Sequence, residues 1–467
     1  MSKLRGKLIK EKSTDVIIVI MILVSATIIF IPYLVPNPPP ETTLHILSRD
    51  DVSITYQIEE AFLNSSFAKN NNIGDIEWYN PGIDFWDSYS QSGEIDLVMG
   101  DETTINALTQ SNSLSEITSL NASEIPDSIA GVPMKGDSEE RLMWCCYSIR
   151  PIIFELLVNE TLLDYHGIST PEKIEDLLIP DFWPSERNSS LIGMDFLQST
   201  WLKHQFHHLV TKMQGWDNGI QNLTALYANS QILFDDETLS ALENGEISAV
   251  LTAFSGQTDE VLPSTISRVH LKDMVIIQPF PVAIASGTTH ITQAESFLDF
   301  LFSPQGQSIL LKEEFSPRLP VRVEAFDFVQ GEVDDIIYSE FNWTMRAGEI
   351  GVTDTLLEDD YMVWLYMNST IFSTISNTTH CWRNIIDAYR NSSIDQLQFN
   401  QFRGAFGEPL TIVDPITHEN ESFTEFYSAS VFSRRFQPHF ATELAQLWRV
   451  AANERYQTIV SQLALLV

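Results

Sequence analysis

The sequence predicts an α/β fold with largely parallel sheets, placed outside the cell behind an N-terminal membrane-spanning segment. Short strand patterns alternate with helical patterns along most of the chain, which is typical of α/β folds. The chain has 467 residues, of which 44% are hydrophobic, so it can build a large core. One uniformly apolar run of about twenty residues lies near the N-terminus, the length that a transmembrane helix needs.

Apolar runs bounded by polar or turn residues indicate the strands, and apolar residues at helical spacing indicate the helices. Pro279 and Pro281 lack the N–H group that a central strand donates, so regular pairing is expected to stop after Gln278. Ser303 and Pro304 predict the start of a new helix, with Ser303 as its cap. The predicted strands are 43–48, 73–79, 94–100, 140–150, 191–200, 246–254 and 274–285, and the main helices are 51–67, 201–213, 219–227, 236–244, 359–372, 382–389 and 441–466.

Residues 16–35 carry no charged side chain and are long enough to cross a bilayer as an α-helix. The preceding residues 1–15 are basic, so the positive-inside rule keeps them in the cytoplasm and places the rest of the chain outside. The run is longer than the apolar part of most secretion signals, which favours a retained anchor over a cleaved signal. Residues 36–42 are proline-rich and are expected to form an extended linker.

The charge of the chain and its glycosylation motifs agree with an extracellular location. The net charge is −36, from 63 acidic and 27 basic side chains, which argues against nucleic acid as a partner. Asn-x-Ser/Thr occurs more often than the composition alone would give, and a glycoprotein is therefore expected. The acceptor positions are Asn64, Asn121, Asn159, Asn188, Asn222, Asn342, Asn368, Asn377, Asn391 and Asn420.

The cysteines and histidines do not form a recognisable cofactor site. Cys381 could form one disulfide with Cys145 or Cys146, and the alternative is that all three are buried thiols. His204 and His208 are four residues apart on a predicted helix, but zinc would need a further ligand from elsewhere. We therefore expect neither a metal site nor a cofactor. The motifs of hydrolases and nucleotide-binding loops are missing from the sequence, so an enzyme is not expected.

Three segments resemble, in the same order, sequence blocks of the extracellular solute-binding proteins of ABC importers. They are VNETLLDYHGISTPEKIEDLLIPDFWPSERNSSLIGMDFLQST (158–200), ALENGEISAVLT (241–252) and TQAESFLDFLFSPQGQSIL (292–310). The last of these follows the strand IIQPFPVAIASG, as in that family. The resemblance extends over residues 43–321 and points to the binders of ferric iron, thiamine and phosphonates.

This resemblance implies a two-lobed fold of the type II periplasmic-binding-protein kind. Two strands would cross between the lobes, and the lobes would close on a small-molecule solute and deliver it to the permease subunits of an ABC transporter. Such a protein is not an enzyme. The expected parts are a basic tail (1–15), an anchor (16–35), a linker (36–42), a first lobe (43–147 and 275–321), a second lobe (148–274) and a mostly helical C-terminal extension packed on the lobes (322–467).

Candidate ligand contacts follow from the ends of the strands. Closure requires a solute to touch both lobes, and open α/β sheets bind ligands at the carboxyl ends of their strands. Acidic and hydroxyl side chains at these places also cap the helices that follow, which is the simpler interpretation for several of them. The candidates are Arg49, Asp50, Asp101, Glu102, Thr103, Ser148, Arg150, Gln198, Ser199, Thr200, Phe254, Ser255 and Gln278.

The sequence also departs from the family it resembles. The ferric-iron binders use adjacent tyrosines after the strand that here ends with Phe254 and Ser255, so iron is not the expected solute. The alternative function is a sensory or adhesive ectodomain that keeps the solute-binding fold without transport.

Overall fold

The computed structural model describes residues 41–138, 140–195, 199–254, 262–312, 318–329, 335–346, 352–353, 358–437 and 439–466. The anchor predicted at 16–35 lies outside these ranges, as do the tail before it and most of the linker. Among the described residues, no helix combines the length and the apolarity that spanning a bilayer requires.

One mixed sheet contains most of the strands. The strands are β1 (Thr42–Ser48), β2 (Ile73–Tyr79), β3 (Leu97–Met99), β4 (Leu114–Ser115), β5 (Ser128–Ile129), β6 (Val132–Pro133), β7 (Lys135–Ser138), β8 (Arg141–Asn159), β9 (Ile192–Met194), β10 (Gln231–Ile232), β11 (Ala249–Phe254), β12 (Ile266–Ala285), β13 (Leu319–Pro320), β14 (Val352–Thr353), β15 (Thr411–Val413) and β16 (Asn420–Ser422). The main sheet runs β10-β9-β11-β8-β12-β3-β1-β2, with β7 and β13 beside β8 and with β4 and β14 beside β12.

Helices cover both sides of this sheet and make up most of the C-terminal part. They are α1 (Val52–Asn64), α2 (Ser66–Asn70), α3 (Trp86–Ser92), α4 (Glu102–Gln110), α5 (Glu160–His166), α6 (Thr200–Gln214), α7 (Trp216–Ala228), α8 (Asp235–Glu243), α9 (Ile291–Leu301), α10 (Pro304–Gln307), α11 (Asp335–Arg346), α12 (Glu358–Thr370), α13 (Ile375–Arg390), α14 (Gln396–Gly407), α15 (Glu425–Phe432) and α16 (Phe440–Leu463). The α/β class predicted from the sequence is confirmed, but the sheet is mixed rather than largely parallel, because β8 and β12 pair antiparallel with each other and with β11 and β3.

Two long antiparallel strands, β8 and β12, run through the middle of the sheet. Their pairing extends from Ile266 opposite Asn159 to Ala283 opposite Trp144. The strand predicted to end at Arg150 continues to Asn159, because its apolar residues pair with β11 on one side and with β12 on the other. The strand predicted to start at residue 274 starts at Ile266 for the same reason.

The expectation that Pro279 and Pro281 end the regular pairing was wrong. Pro279 lies opposite Ile149 and Pro281 opposite Cys146, and the ladder between β8 and β12 continues on both sides of them. The register shifts between Phe280 and Pro281, and such a bulge lets a strand pass residues that cannot donate a hydrogen bond. The carbonyl of Pro281 still accepts a hydrogen bond from Gly100 N–H at 3.2 Å.

Most of the buried apolar side chains belong to two large hydrophobic cores, and two smaller clusters are present in addition. The first core surrounds β1, β3 and one end of the β8–β12 pair, and it includes Phe62 and Phe297, whose rings meet edge to face with centroids 5.0 Å apart. The second core surrounds β9, β11 and the other end of the pair, and it includes Phe154 and Phe206. Burying both cores explains why β8 is buried along nearly its whole length and why β12 is mostly apolar from Met274 to Ala285.

Helices α12–α16 belong to the second core, whereas α11 packs on the first core through Phe341. Trp382 on α13 and Trp448 on α16 are fully buried within it, and Trp382 Nε1 donates to Asn229 Oδ1 at 3.0 Å. Helix α16 carries Leu444, Trp448 and further apolar residues at helical spacing on its buried face. The helical composition expected for this part of the chain is confirmed.

The structure tests two further expectations from the sequence, one about a disulfide and one about a helix cap. The disulfide considered for Cys381 is not formed: Cys145 and Cys146 lie in the first core, Cys381 lies in the second, and all three are buried free thiols. Ser303 caps α10 as predicted, because its Oγ accepts a hydrogen bond from Gly306 N–H at 3.1 Å and Pro304 begins the helix.

Candidate functional site

A cleft of about 850 Å³ opens beside the first core. Its walls come from the loops after β1 and β3, from the start of α4, from the segment that leads into α3, and from the middle of β12. Among the sequence-predicted candidates, the cleft is lined by Arg49, Asp50, Asp101, Glu102, Thr103 and Gln278.

Parallel pairing brings the strand ends together. Strand β1 pairs in parallel with β3, so Ser48 lies opposite Met99, and Arg49 N–H then donates to the carbonyl of Met99 at 3.2 Å. The two chains therefore leave the sheet side by side, and the residues that follow them face one space. This geometry explains why residues more than fifty positions apart in the sequence line one cleft.

Arg49 and Asp101 form an ion pair at the rim of the cleft. Arg49 Nη1 lies 3.0 Å from Asp101 Oδ2, and both side chains are about half exposed. The other carboxylate oxygen of Asp101 caps α4, because it accepts from Thr104 N–H and from Thr104 Oγ1, each at 2.8 Å. Asp101 is thus mainly a capping residue, in line with the simpler interpretation of the sequence.

Glu102 lies deeper in the cleft than Asp101. Burial raises the pKa of Glu102 above the usual value for a glutamate, and a hydrogen bond with Asn106 opposes that effect. Its Oε2 atom is buried, and no described residue donates a hydrogen bond to it. Thr103, the next residue, is exposed at the cleft wall.

Asp50 is held by a buried network. Its Oδ1 lies 2.7 Å from Arg318 Nη2, and its Oδ2 accepts a hydrogen bond from the Tyr147 hydroxyl. Arg318 Nη1 donates to Tyr147 Oη at 2.6 Å, and the guanidinium lies 3.5 Å from the centroid of the Phe280 ring. Burial raises the pKa of Tyr147 well above its usual value, so the hydroxyl keeps its proton. Asp50 is therefore fixed as part of the cleft floor.

Gln278 and Arg150 lie opposite each other on β12 and β8. Gln278 lines the cleft, and its Oε1 atom is buried with no donor among the described residues. The Arg150 guanidinium lies 5.8 Å from the centroid of the Phe280 ring. Ser148 lies opposite Phe280 on one side and Pro320 on the other and is fully buried, so the structure places it under the cleft surface.

Ser199, Thr200 and Phe254 belong to elements that pack around the second core, and they are not among the residues that line this cleft. Ser199 caps α6, with its Oγ accepting from Leu202 N–H at 3.2 Å, and Thr200 is the first residue of that helix. Phe254 ends β11 opposite Ile153. Gln198 and Ser255 lie outside the described residues.

Sequence reasoning missed part of the cleft wall. Asp84 and Asp87 line it from the segment before α3 and from α3 itself. Hydrogen bonds from Ser111 Oγ, at 2.5 Å, and from Ser113 Oγ hold the pKa of Asp87 below its usual value. Trp86 is 1% exposed and packs in the first core, and its Nε1 donates to the carbonyl of Pro81 at 3.2 Å.

The histidines considered for zinc lie in the second core. His207 is fully buried, and its Nε2 lies 2.6 Å from Tyr227 Oη. Burial lowers the pKa of His207 to about 3, so this ring stays neutral. Within the described ranges, no group of three or more His, Cys, Asp or Glu side chains is placed to hold a metal ion.

Two α/β cores bridged by long strands, with a cleft at the strand ends, agree with the fold that the resemblance implies. Residues 201–315 match the family model described as "Bacterial extracellular solute-binding protein". Over these residues the chain is similar to bacterial extracellular solute-binding proteins, and the resemblance found in the sequence is confirmed. That family consists of binding proteins rather than enzymes. No curated protein matches the sequence.

Solved structures of binding proteins are similar to this chain at low identity. A putative extracellular solute-binding protein from Bordetella parapertussis is 11% identical, with 70% of this chain and 98% of that chain covered and a TM-score of 0.48. Iron-bound HitA from Pseudomonas aeruginosa is 18% identical over 60% of this chain and 87% of that chain, with a TM-score of 0.39. The spermidine/putrescine ABC transporter substrate-binding protein PotD from Streptococcus pneumoniae is 15% identical over 67% and 93%, with a TM-score of 0.42.

Proposed function

We propose that this protein is a membrane-anchored extracellular solute-binding protein that captures a small solute between two lobes and delivers it to the permease of an ABC importer. The observation that carries the proposal is the cleft at the ends of β1 and β3, against the β8–β12 pair that runs from one core to the other. The match of residues 201–315 to the family model supports the same function.

The lobes of this proposal are the two cores and the elements around them. The first lobe comprises residues 43–147 and 275–321 and the second comprises residues 148–274, to which helices α12–α16 are attached. A solute that binds between lobes favours the closed arrangement by the difference of its affinities for the closed and open states. Capture would therefore use the cleft wall described above together with groups of the second lobe.

Anchoring and glycosylation complete the proposal. Residues 16–35 would hold the protein at the outer face of the membrane, with the linker as a spacer. Glycans would occupy the acceptor asparagines that are exposed, which are Asn64, Asn188, Asn377, Asn391 and Asn420. Asn159 is buried, and its Nδ2 donates to the carbonyl of Leu242 at 2.8 Å, so it would stay unmodified.

A thermal-shift screen tests the binding function. The purified protein is scanned with sugars, carboxylates, phosphonates, thiamine, amines and metal salts. A ligand at about a hundred times its dissociation constant adds about 2.7 kcal/mol to the free energy of unfolding, which raises the melting temperature. If no compound in a broad panel raises it, the binding function is refuted.

A matched pair of variants tests whether a ligand found in the thermal-shift screen binds in the cleft. Ala107 is exposed and lines the cleft, so Ala107→Trp fills part of its volume and should abolish the ligand-induced shift. Ala429 is exposed on α15 and lies away from the cleft, so Ala429→Trp should keep the full shift. Equal shifts in both variants would place the ligand elsewhere on the protein.

A further inference from the structure

The cleft wall carries more negative than positive charge. Among the described residues that line it, the carboxylates belong to Asp50, Asp84, Asp87, Asp101 and Glu102, and the one cationic side chain is Arg49. Arg49 pairs with Asp101, and Asp50 is compensated from beneath by Arg318. Within the described part of the chain, no salt bridge neutralises the other three carboxylates. A recess with low-dielectric walls and charge of one sign concentrates solutes of the opposite sign.

Buried oxygen atoms without a hydrogen-bond donor give a second, independent indication of the class of solute. Glu102 Oε2 and Gln278 Oε1 are both buried oxygen atoms of cleft-lining residues, and neither has a donor among the described residues. Buried acceptors are normally satisfied, because leaving one unpaired costs free energy. A solute rich in N–H donors would satisfy both atoms, whereas a carboxylate or phosphate would bring further acceptors to them.

The apolar residues of the cleft wall indicate what kind of positively charged solute the cleft would suit. Ile83, which is 45% exposed, Pro279 and Phe280 line the same cleft. Its volume of about 850 Å³ is that of a site for an organic molecule rather than for a bare ion. Carboxylates and apolar surface together suit a molecule with charged nitrogen groups on a hydrocarbon frame.

We propose that the solute is an organic cation, an amine or a related nitrogen base, whose N–H groups meet Glu102 and Gln278 while its hydrocarbon part lies against Ile83 and Phe280. This inference rests on the proposed solute-binding function and specifies its substrate class. Asp84 and Asp87 also line the cleft, and their negative charges add to the attraction of a cation.

Isothermal titration calorimetry with matched compounds tests the charge preference. The full-length protein is titrated with 1,5-diaminopentane, pentane-1,5-diol and glutarate, which share one carbon chain, and with a set of larger amines, each beside its alcohol and acid counterpart. Amines should bind at least about tenfold more tightly than their counterparts, and rising salt should weaken the binding. Tighter binding of an alcohol or an acid would overturn the inference and leave solute binding intact.

Substitutions of the cleft carboxylates test whether these side chains cause the preference for amines. Glu102→Gln keeps the shape of the side chain and removes its charge, so amine affinity should fall at least about tenfold. Asp84→Asn, at an exposed position, should weaken amine binding by a smaller factor. This second variant replaces Glu102→Gln in the test if circular dichroism shows that Glu102→Gln does not fold. Glu454→Gln, the same substitution at an exposed position on α16, should leave affinity unchanged. Unchanged amine affinity in the cleft variants would overturn the inference. Failure of every compound, here and in the thermal-shift screen, would overturn both the inference and the proposed function.

Discussion

Removing the Arg318 guanidinium should destabilise the protein far more than removing an exposed arginine. Arg318 is 3% exposed, and the Asp50 side chain is 7% exposed, so solvent screens their pair very little. Arg318→Leu takes away the ion pair at 2.7 Å and the hydrogen bond to Tyr147 at 2.6 Å, and it leaves a buried carboxylate without its cation. Loss of one partner of a buried pair typically costs about 3–5 kcal/mol, and we expect about 4 kcal/mol here.

Arg383→Leu is the matched control for this prediction. The Arg383 side chain is 35% exposed, and its Nε lies 3.8 Å from Asp387 Oδ2 on the same helix, so about 0–1 kcal/mol should be lost. Urea unfolding followed by circular dichroism measures both variants. The double variant Arg318→Leu with Asp50→Asn should be more stable than Arg318→Leu alone, because it no longer buries an unpaired charge. Similar losses for Arg318→Leu and Arg383→Leu, or a double variant that is the least stable, would refute this reasoning.

Three further predictions concern the second core, a helix start and the glycans. The pKa of His207 is about 3 in the folded protein, against an ordinary value of 6.5, so the unfolded chain takes up a proton first as the pH falls. Lowering the pH from 7.5 to 5 should therefore reduce the free energy of unfolding by about 2 kcal/mol through this group. Urea unfolding at several pH values should show a shallower pH dependence in His207→Gln, and equal slopes would contradict the assignment. Ser303→Ala should lower the free energy of unfolding by about 1 kcal/mol, whereas Ser88→Ala, at an exposed position, should change it by less than about 0.5 kcal/mol; equal effects would argue against the cap. Mass spectrometry of protein from its native host should find glycans at exposed acceptors such as Asn377 and none at Asn159, and an occupied Asn159 would contradict its buried position.

Much of the cleft could be predicted because it lies at the ends of two neighbouring parallel strands, β1 and β3. Strand β1 and strand β3 each end in polar residues, and parallel neighbours release their ends at the same edge of a sheet. Arg49, Asp101 and Thr103 were found in this way. The interpretation of Asp101 as a helix cap was also available, since an acidic residue before a helix commonly has that role.

The floor and the far wall of the cleft could not be predicted, because they depend on contacts that are distant in sequence. Arg318 reaches Tyr147 across 171 positions, and nothing near Arg318 in the sequence points to a buried carboxylate. Asp84 and Asp87 lie in a short 3₁₀ turn and at the start of α3, where there is no strand end to mark them. The sequence prediction ended β8 at Arg150, whereas pairing with β11 and β12, which are distant in sequence, extends the strand to Asn159.

The β8–β12 ladder determines how the two halves of this molecule can move. This ladder connects the two cores, so relative motion of the two halves would have to bend or twist it. Its weak points are the two places where the register breaks, between His270 and Val275 and between Phe280 and Pro281. The second interruption lies beside Phe280, which lines the cleft, so a molecule bound there would contact the ladder next to a place where its regular pairing is broken.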